Sequence, residues 1–390
     1  MLHSLDRRRL LGGSLALGAA SFALPRMVFA RAAGDRNLLL VVLRGAADGL
    51  AMLAPLGDPA YEQVRGFGLP DYESAPKAGG FFAIHPAFQQ VAAAYAENQA
   101  LFVHATATAY RERSHFDGQN LLETGGTKPY AQRDGWLNRL VGMMPVDGSG
   151  AAPKALAIAP TVPLALRGEA PVSSYAPSSL PQASDAFMER VSLLYAEDAQ
   201  LGQLWQRALE TREMAGGDNL RNLRDARAAG ELAASLMRER GGARIGMIEL
   251  SGWDSHANQR NAFNRQAGQL DALLGAYRAA MGPAWASTLV LAVTEFGRTV
   301  RYNGTGGTDH GTAGAALAMG GALRGGRVIA DWPGLKDGEL YEGRDLRPTI
   351  ALESVLAGAS AEHFGLDPEH TMARLFPDRR APAMTGFVAG

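Results

Sequence analysis

Five short segments of this chain carry side chains that could hold an ion or an anion. Gly307-Thr308-Asp309-His310-Gly311 sets a hard oxygen ligand beside an imidazole. Glycine stands on both sides of it, and glycine lets the backbone bend tightly. Asp254 and His256 lie two residues apart in Ser251–His256, and in extended backbone residues i and i+2 point to one side. Glu295 and Arg298 share Thr294–Arg298, and Asp48 precedes Gly49. The stretch from Arg111 to Asp117 includes Arg111, Arg113, Ser114, His115 and Asp117. Carboxylates with imidazoles suit zinc, manganese or a similar divalent ion. The chain has no cysteine, so thiolate sites and disulfides are excluded.

Each segment also has a plainer reading. Asp48-Gly49 is a common turn pair. Ser114-x-x-Asp117 matches a capping box, so Ser114 is either a helix N-cap or a nucleophile at a helix N-terminus. Asp254 is either a metal ligand or the cap of a helix beginning near Ala257. Glu295 and Arg298 form either a surface ion pair or a ligand and an anion clamp. Asp309-His310 is either a surface turn or a ligand pair.

The elements needed to position these residues follow from the apolar pattern. Asn37–Leu43 is a continuous apolar run of strand length, and Leu101–His104, Arg244–Leu250 and Thr288–Val293 read likewise. Helical spacing marks Pro86–Glu97, a helix from Ser114 toward Glu123, Asn219–Arg240 and Ala257–Met281. Strands alternating with helices imply an α/β fold with a mainly parallel central sheet. In such sheets ligands bind beyond the carboxyl ends of the strands, and that is where Asp48, Ser114, Asp254 and Glu295 fall. Residues 151–240, proline-rich and then helical, read as an insertion or lobe.

The N-terminus reads as a targeting segment, against the plainer reading of a basic amphipathic helix. Asp6-Arg7-Arg8-Arg9-Leu10-Leu11 is a twin-arginine pattern, an apolar stretch follows to Leu24, and small residues near Ala30 offer a cleavage site. Residues 1–32 are therefore expected to be a signal peptide read by the twin-arginine export machinery. Residues 33–390 would form the mature protein, periplasmic or secreted and without a transmembrane segment. A formal net charge of −1 excludes a global basic field for nucleic acid.

Together, Arg44-Gly-Ala-Ala-Asp48-Gly49, Arg113-Ser-His-Phe-Asp117, Gly252-Trp-Asp-Ser-His256, Thr294-Glu-Phe-Gly-Arg298 and Gly307-Thr-Asp-His-Gly311 resemble the blocks of the exported family catalogued as domain of unknown function 1501. The likeness runs on through Gly320-Gly321, Gly325-Gly326-Arg327-Val328 and Asp331-Trp332-Pro333-Gly334. The resemblance implies membership of the alkaline phosphatase and sulfatase superfamily, and with it a three-layer α/β/α sandwich and one or two divalent metal ions acting on phosphate or sulfate esters. Carried over residue by residue, Asp48 resembles the first-strand metal acid and Ser114 the nucleophile. Asp254 and His256 resemble one metal site. Glu295 stands where a strand-end acid is expected, with Phe296 in the place of its histidine, and Asp309 and His310 resemble a displaced pair or a late histidine ligand. The expected activity is metal-dependent hydrolysis of an anionic ester, with Arg113 and Arg298 clamping its charge. The alternative is a non-catalytic member binding an anionic polymer or a partner protein.

Overall fold

Strand β1 (Asn37–Arg44) lies at the centre of the molecule and is buried along almost its whole length. Its alternate side chains enter two separate cores. Leu39, Val41 and Leu43 face one, and Leu38, Leu40 and Val42 face the other. A strand that is apolar at every position has no solvent face, so it must be covered on both sides. The computed structural model describes residues 36–66, 74–144, 155–176, 185–195, 225–239 and 241–388, with a few single positions between them. The twin-arginine segment lies outside the described residues.

The turn after β1 leads into the short helix α1 (Gly49–Met52), then β2 (Leu53–Ala54), α2 (Tyr61–Arg65), β3 (Lys77–Ala78), β4 (Phe82–Ile84) and α3 (Gln89–Ala96). Next come β5 (Ala100–Ala107), α4 (His115–Thr124), α5 (Trp136–Met143), β6 (Ala155–Ala157), β7 (Val172–Ser174), α6 (Asp185–Tyr195) and α7 (Ala226–Met237). The remainder is β8 (Ile245–Ser251), α8 (Gln259–Met281), β9 (Thr288–Val293), β10 (Gly314–Met319), β11 (Arg327–Ile329), β12 (Ile350–Ala351), α9 (Leu352–Phe364) and α10 (Pro368–Leu375).

The main sheet runs β11-β5-β10-β9-β1-β8-β6-β7, with β12 beside the end of β5. Its pairings are parallel except at β10, which is antiparallel to both β5 and β9. Residues of α3, α7 and α8 fill the first core, and residues of α5, α9 and α10 the second. This is the α/β fold with a mainly parallel sheet that the alternating pattern implies, layered as the α/β/α sandwich that the family resemblance implies. Within the 151–240 stretch, β6 and β7 extend one edge of the sheet and α7 packs on α8. Among the described residues, no helix is long and apolar enough to cross a membrane.

The antiparallel strand determines where the site forms. β1, β5, β8 and β9 end on one side of the sheet. Because β10 runs the other way, the loop from Thr294 to Ala313 leaves β9 and returns to the same side. Asp309 and His310 therefore stay at the strand ends. Backbone bonds from Gly297 N–H to the Thr312 carbonyl (2.9 Å) and from Gly311 N–H to the Gly297 carbonyl (2.8 Å) fold this loop onto itself.

Candidate metal centre

His310 is the hub of the site. Its Nε2 lies 3.0 Å from Nε2 of His115, 3.0 Å from Nε2 of His256 and 3.2 Å from Oδ1 of Asp254. Asp254 also reaches His256 through Oδ1 at 3.0 Å and His115 through Oδ2 at 3.4 Å. One ligand atom each from His115, Asp254 and His310 lies within 4.8 Å of the others. His256 approaches His310 and Asp254 from the more exposed side.

The outer nitrogens of the three rings are already engaged. Nδ1 of His310 donates to the backbone carbonyl of Arg113 at 2.9 Å. Nδ1 of His115 donates to Oε1 of Glu295 at 2.8 Å, and Nδ1 of His256 donates to Oδ1 of Asp309 at 3.1 Å. Carbonyl and carboxylate oxygens only accept, so each ring carries its proton on Nδ1. A neutral imidazole protonated there has a bare lone pair on Nε2. Three such lone pairs and a carboxylate oxygen then face one another at 3.0 to 3.4 Å. That arrangement is repulsive unless a proton or a cation lies among them. Zinc–ligand bonds of about 2.0–2.1 Å in a tetrahedron put ligand atoms about 3.3 Å apart, so these residues fit a divalent ion.

Electrostatics follow the same pattern. Burial pushes Glu295 toward its neutral form, but the bonds from His115 and from the Gly45 N–H outweigh it and hold the carboxyl below its usual range. The bond to Glu295 raises the His115 imidazole above its ordinary value. Burial, with the neighbouring His115 charge, lowers His310. Burial raises Asp254, yet its bonds with Arg298 win and lower it. Phe296 stacks on His115 with ring centroids 5.0 Å apart and lies 5.4 Å from His310, giving both rings an apolar wall.

The structure brings Asp254, His256, Asp309 and His310 together and moves other residues to supporting places. Glu295, expected as a ligand, is fully buried behind His115 and orients it. Asp48 is buried too, but its carboxylate is taken by Arg65 at 2.5 and 3.0 Å and by the N–H groups that open α1. Arg298, expected as an anion clamp, is buried with Nη1 on Asp254 at 2.6 Å and Nε on Thr308 Oγ1 at 3.1 Å. Arg113 donates to Asp345 at 2.9 Å and pairs with Glu342. Both guanidinium groups are thus neutralised by carboxylates of the chain. Arg113 also holds a left-handed backbone, φ 60°, uncommon for a non-glycine residue; its carbonyl is the one that accepts from His310.

Ser114 occupies the N-cap position of α4, but its side chain makes no capping bond. Asp117 instead accepts from the Tyr110 hydroxyl at 3.2 Å, so no capping box forms. Asn258, not Asp254, takes the N-cap place of α8. His115 stands outside the ligands expected from sequence, yet its Nε2 joins the cluster. The sequence signal for it is the Arg113-Ser-His-Phe-Asp117 block, where the imidazole adjoins the Ser114 hydroxyl.

Glycine acts here through close approach to protein backbone rather than to an ion. A Cβ on Gly307 would meet the backbone of His256 at 2.0 Å, and one on Gly311 the backbone of Arg298 at 2.3 Å. The loop carrying Asp309 and His310 can lie against the backbone at His256 and Arg298 only because those side chains are missing.

No curated protein matches the chain. Among solved structures it is similar to Ps i-CgsB in complex with k-i-k-neocarrahexaose, at 12% identity over 88% of this chain and 75% of that one, with a TM-score of 0.39. It is similar also to the alkaline phosphatase of the Antarctic bacterium TAB5, at 11% identity over 88% and 99% of the two chains, TM-score 0.36. A third is the phosphonate monoester hydrolase of Agrobacterium radiobacter, at 14% identity over 88% and 78%, TM-score 0.31. The model of the family described as protein of unknown function (DUF1501) matches residues 82–376, most of the chain, and the protein belongs to that family.

Proposed function

We propose that this protein is an exported, divalent-metal-dependent hydrolase of phosphate or sulfate esters. His115, Asp254 and His310 would hold the ion, with His256 beside them on the exposed side. The observation that carries this reading is the convergence of imidazole Nε2 lone pairs on one another and on Asp254. Zinc, manganese or a similar ion, when bound, supplies Lewis acidity, lowers the pKa of a nearby water or hydroxyl and neutralises an anionic substrate.

The chain's own residues prepare the site. Glu295, Asp309 and the Arg113 carbonyl fix the rings through Nδ1. Arg298 aims Asp254 and partly neutralises it. Ser114 stands at the N-terminus of the ten-residue helix α4, where free N–H groups favour negative charge, and it is the candidate nucleophile. The twin-arginine pattern at Arg7-Arg8 supports export, and replacing both with lysine would then leave the protein in the cytoplasm in a fractionation experiment.

Elemental analysis of the purified protein tests the metal, and a panel of phosphate and sulfate esters tests the reaction. The expected result is a stoichiometric divalent ion and turnover that disappears in Ser114→Ala. A metal-free protein of full stability would overturn the reading. One observation favours a second reading, binding without turnover: Arg113 and Arg298 are already paired with carboxylates. Anion binding in the metal-loaded protein with no hydrolysis of any ester would support it.

A further inference from the structure

One buried amide joins the two segments that carry most of the site. Gln259, the first residue of α8, is 1% exposed. Its side-chain oxygen accepts from Ser255 Oγ at 2.9 Å and from Thr308 Oγ1. Ser255 lies between Asp254 and His256, and Thr308 immediately precedes Asp309 and His310. The Thr308 N–H also donates to the Ser255 carbonyl at 3.0 Å, so the two segments meet at the point the amide grips. Beyond it, Thr308 Oγ1 accepts from Arg298, which donates in turn to Asp254.

The other end of the amide is anchored. Gln259 Nε2 donates to Asp48 Oδ2, and Asp48 is held by its two bonds to Arg65. Arg65 itself donates to the carbonyls of Val300 at 2.6 Å and Thr299 at 3.2 Å, in the loop that leads to His310. Asp48 in this ion pair only accepts, while the two hydroxyls donate. An amide can face both at once. A glutamate there would set a carboxylate against Asp48, and a leucine would leave the Ser255 and Thr308 hydroxyls without the acceptor they share.

We propose that Gln259, anchored on the Asp48–Arg65 pair, is a positioning residue of the metal centre, setting the separation of the 254–256 and 308–310 segments. The inference rests on the metal-centre reading given above. It assigns to Asp48 the job of anchor instead of ligand.

The test uses the full mature chain stripped of metal, as wild type, Gln259→Leu, Gln259→Glu and Ser255→Ala. Zn²⁺ is titrated calorimetrically, and exchange of the Thr308 amide proton is followed in the metal-free protein. Both Gln259 variants are expected to bind Zn²⁺ at least about 10-fold more weakly, as loss of an orienting partner does, and Thr308 is expected to exchange faster. Ser255→Ala removes one hydroxyl and is expected to show a smaller loss of the same kind, which decides the matter if either Gln259 variant fails to fold. Folded Gln259 variants with wild-type Zn²⁺ affinity would overturn the proposal. If the wild type binds no Zn²⁺, the metal reading fails by itself, and the exchange rate then decides: unchanged Thr308 exchange in Gln259→Leu refutes positioning, and faster exchange supports it.

Discussion

Nδ1 of His115 and Oε1 of Glu295 stand 2.8 Å apart, and this one bond decides which nitrogen of His115 is free for a ligand. Glu295 comes from the end of β9 and His115 from the first position of α4, 180 residues away in the chain. The carboxylate holds the ring proton on Nδ1 and turns Nε2 toward His310 and Asp254.

Glu295→Ala should therefore weaken metal binding without removing a ligand. Orienting carboxylates of this kind are worth about 10- to 100-fold in affinity. Calorimetric titration of the metal-stripped variant with Zn²⁺ checks the figure, and wild-type affinity would show that something else holds the ring.

His310→Ala should reduce bound metal to a trace, because it removes the one nitrogen that lies against His115, His256 and Asp254 alike. His370→Ala is the control. His370 lies on α10, where its backbone N–H bonds to the capping Asp367, and its loss should leave metal content unchanged. Elemental analysis of both proteins separates the two outcomes.

Asp48 and Arg65 form a fully buried ion pair, 2% and 1% exposed. Breaking such a pair leaves an uncompensated charge in the interior and costs about 3–5 kcal/mol. Urea unfolding of Arg65→Met should show a loss of that size. A change below about 1 kcal/mol, the scale of a surface pair, would mean that water reaches the carboxylate.

Stability should fall in acid through buried histidines remote from the site. Burial, aided by the charge of Arg36, pushes His363 down to about 3, even though the Asn37 carbonyl 2.9 Å from its Nε2 works the other way. Burial likewise lowers His104 to about 4. In the unfolded chain these rings protonate near pH 6.5. Between those values the unfolded state binds more protons, so stability rises with pH. The contribution is whole above about pH 6.5 and is lost as pH falls toward the folded values. Urea midpoints from pH 7 to 4.5 should decline, with a shallower slope in His363→Gln; equal slopes would exclude His363 as a source.

Gly307→Ala should damage the site more than the fold. The added methyl would overlap the His256 backbone, forcing the 307–311 segment away from the 254–256 segment while the sheet remains paired. Zn²⁺ affinity should fall while the thermal transition of the metal-free protein moves by only a few degrees. A wild-type affinity would show that the loop adjusts around the methyl.

The sequence by itself determined the layered fold and the end of the sheet at which chemistry gathers. Apolar runs such as NLLLVVL record burial on two faces, and Thr288–Val293 matches its strand residue for residue. The two-residue spacing of Asp254 and His256 fixed a shared direction, and the glycines around Asp309-His310 marked close backbone contact. What tertiary structure alone decided was the partner of each charge. Strand β10, Gly-Ala-Ala-Leu-Ala-Met, is too rich in alanine and glycine to announce itself as a strand, yet its reversed direction returns His310 to the site. Asp48 and Glu295 look alike in sequence, each an acid at the end of an apolar strand. One meets Arg65 and the other His115, from segments that carry no local pattern linking them. Periodicity reports how a residue faces solvent, whereas ligand, anchor and clamp are distinguished by which opposite group lies within about 3 Å, and residues far apart in the chain settle that only after packing. Gly307–Gly311 thus supplies the hub of the site, while the roles of its neighbours had to wait for the fold.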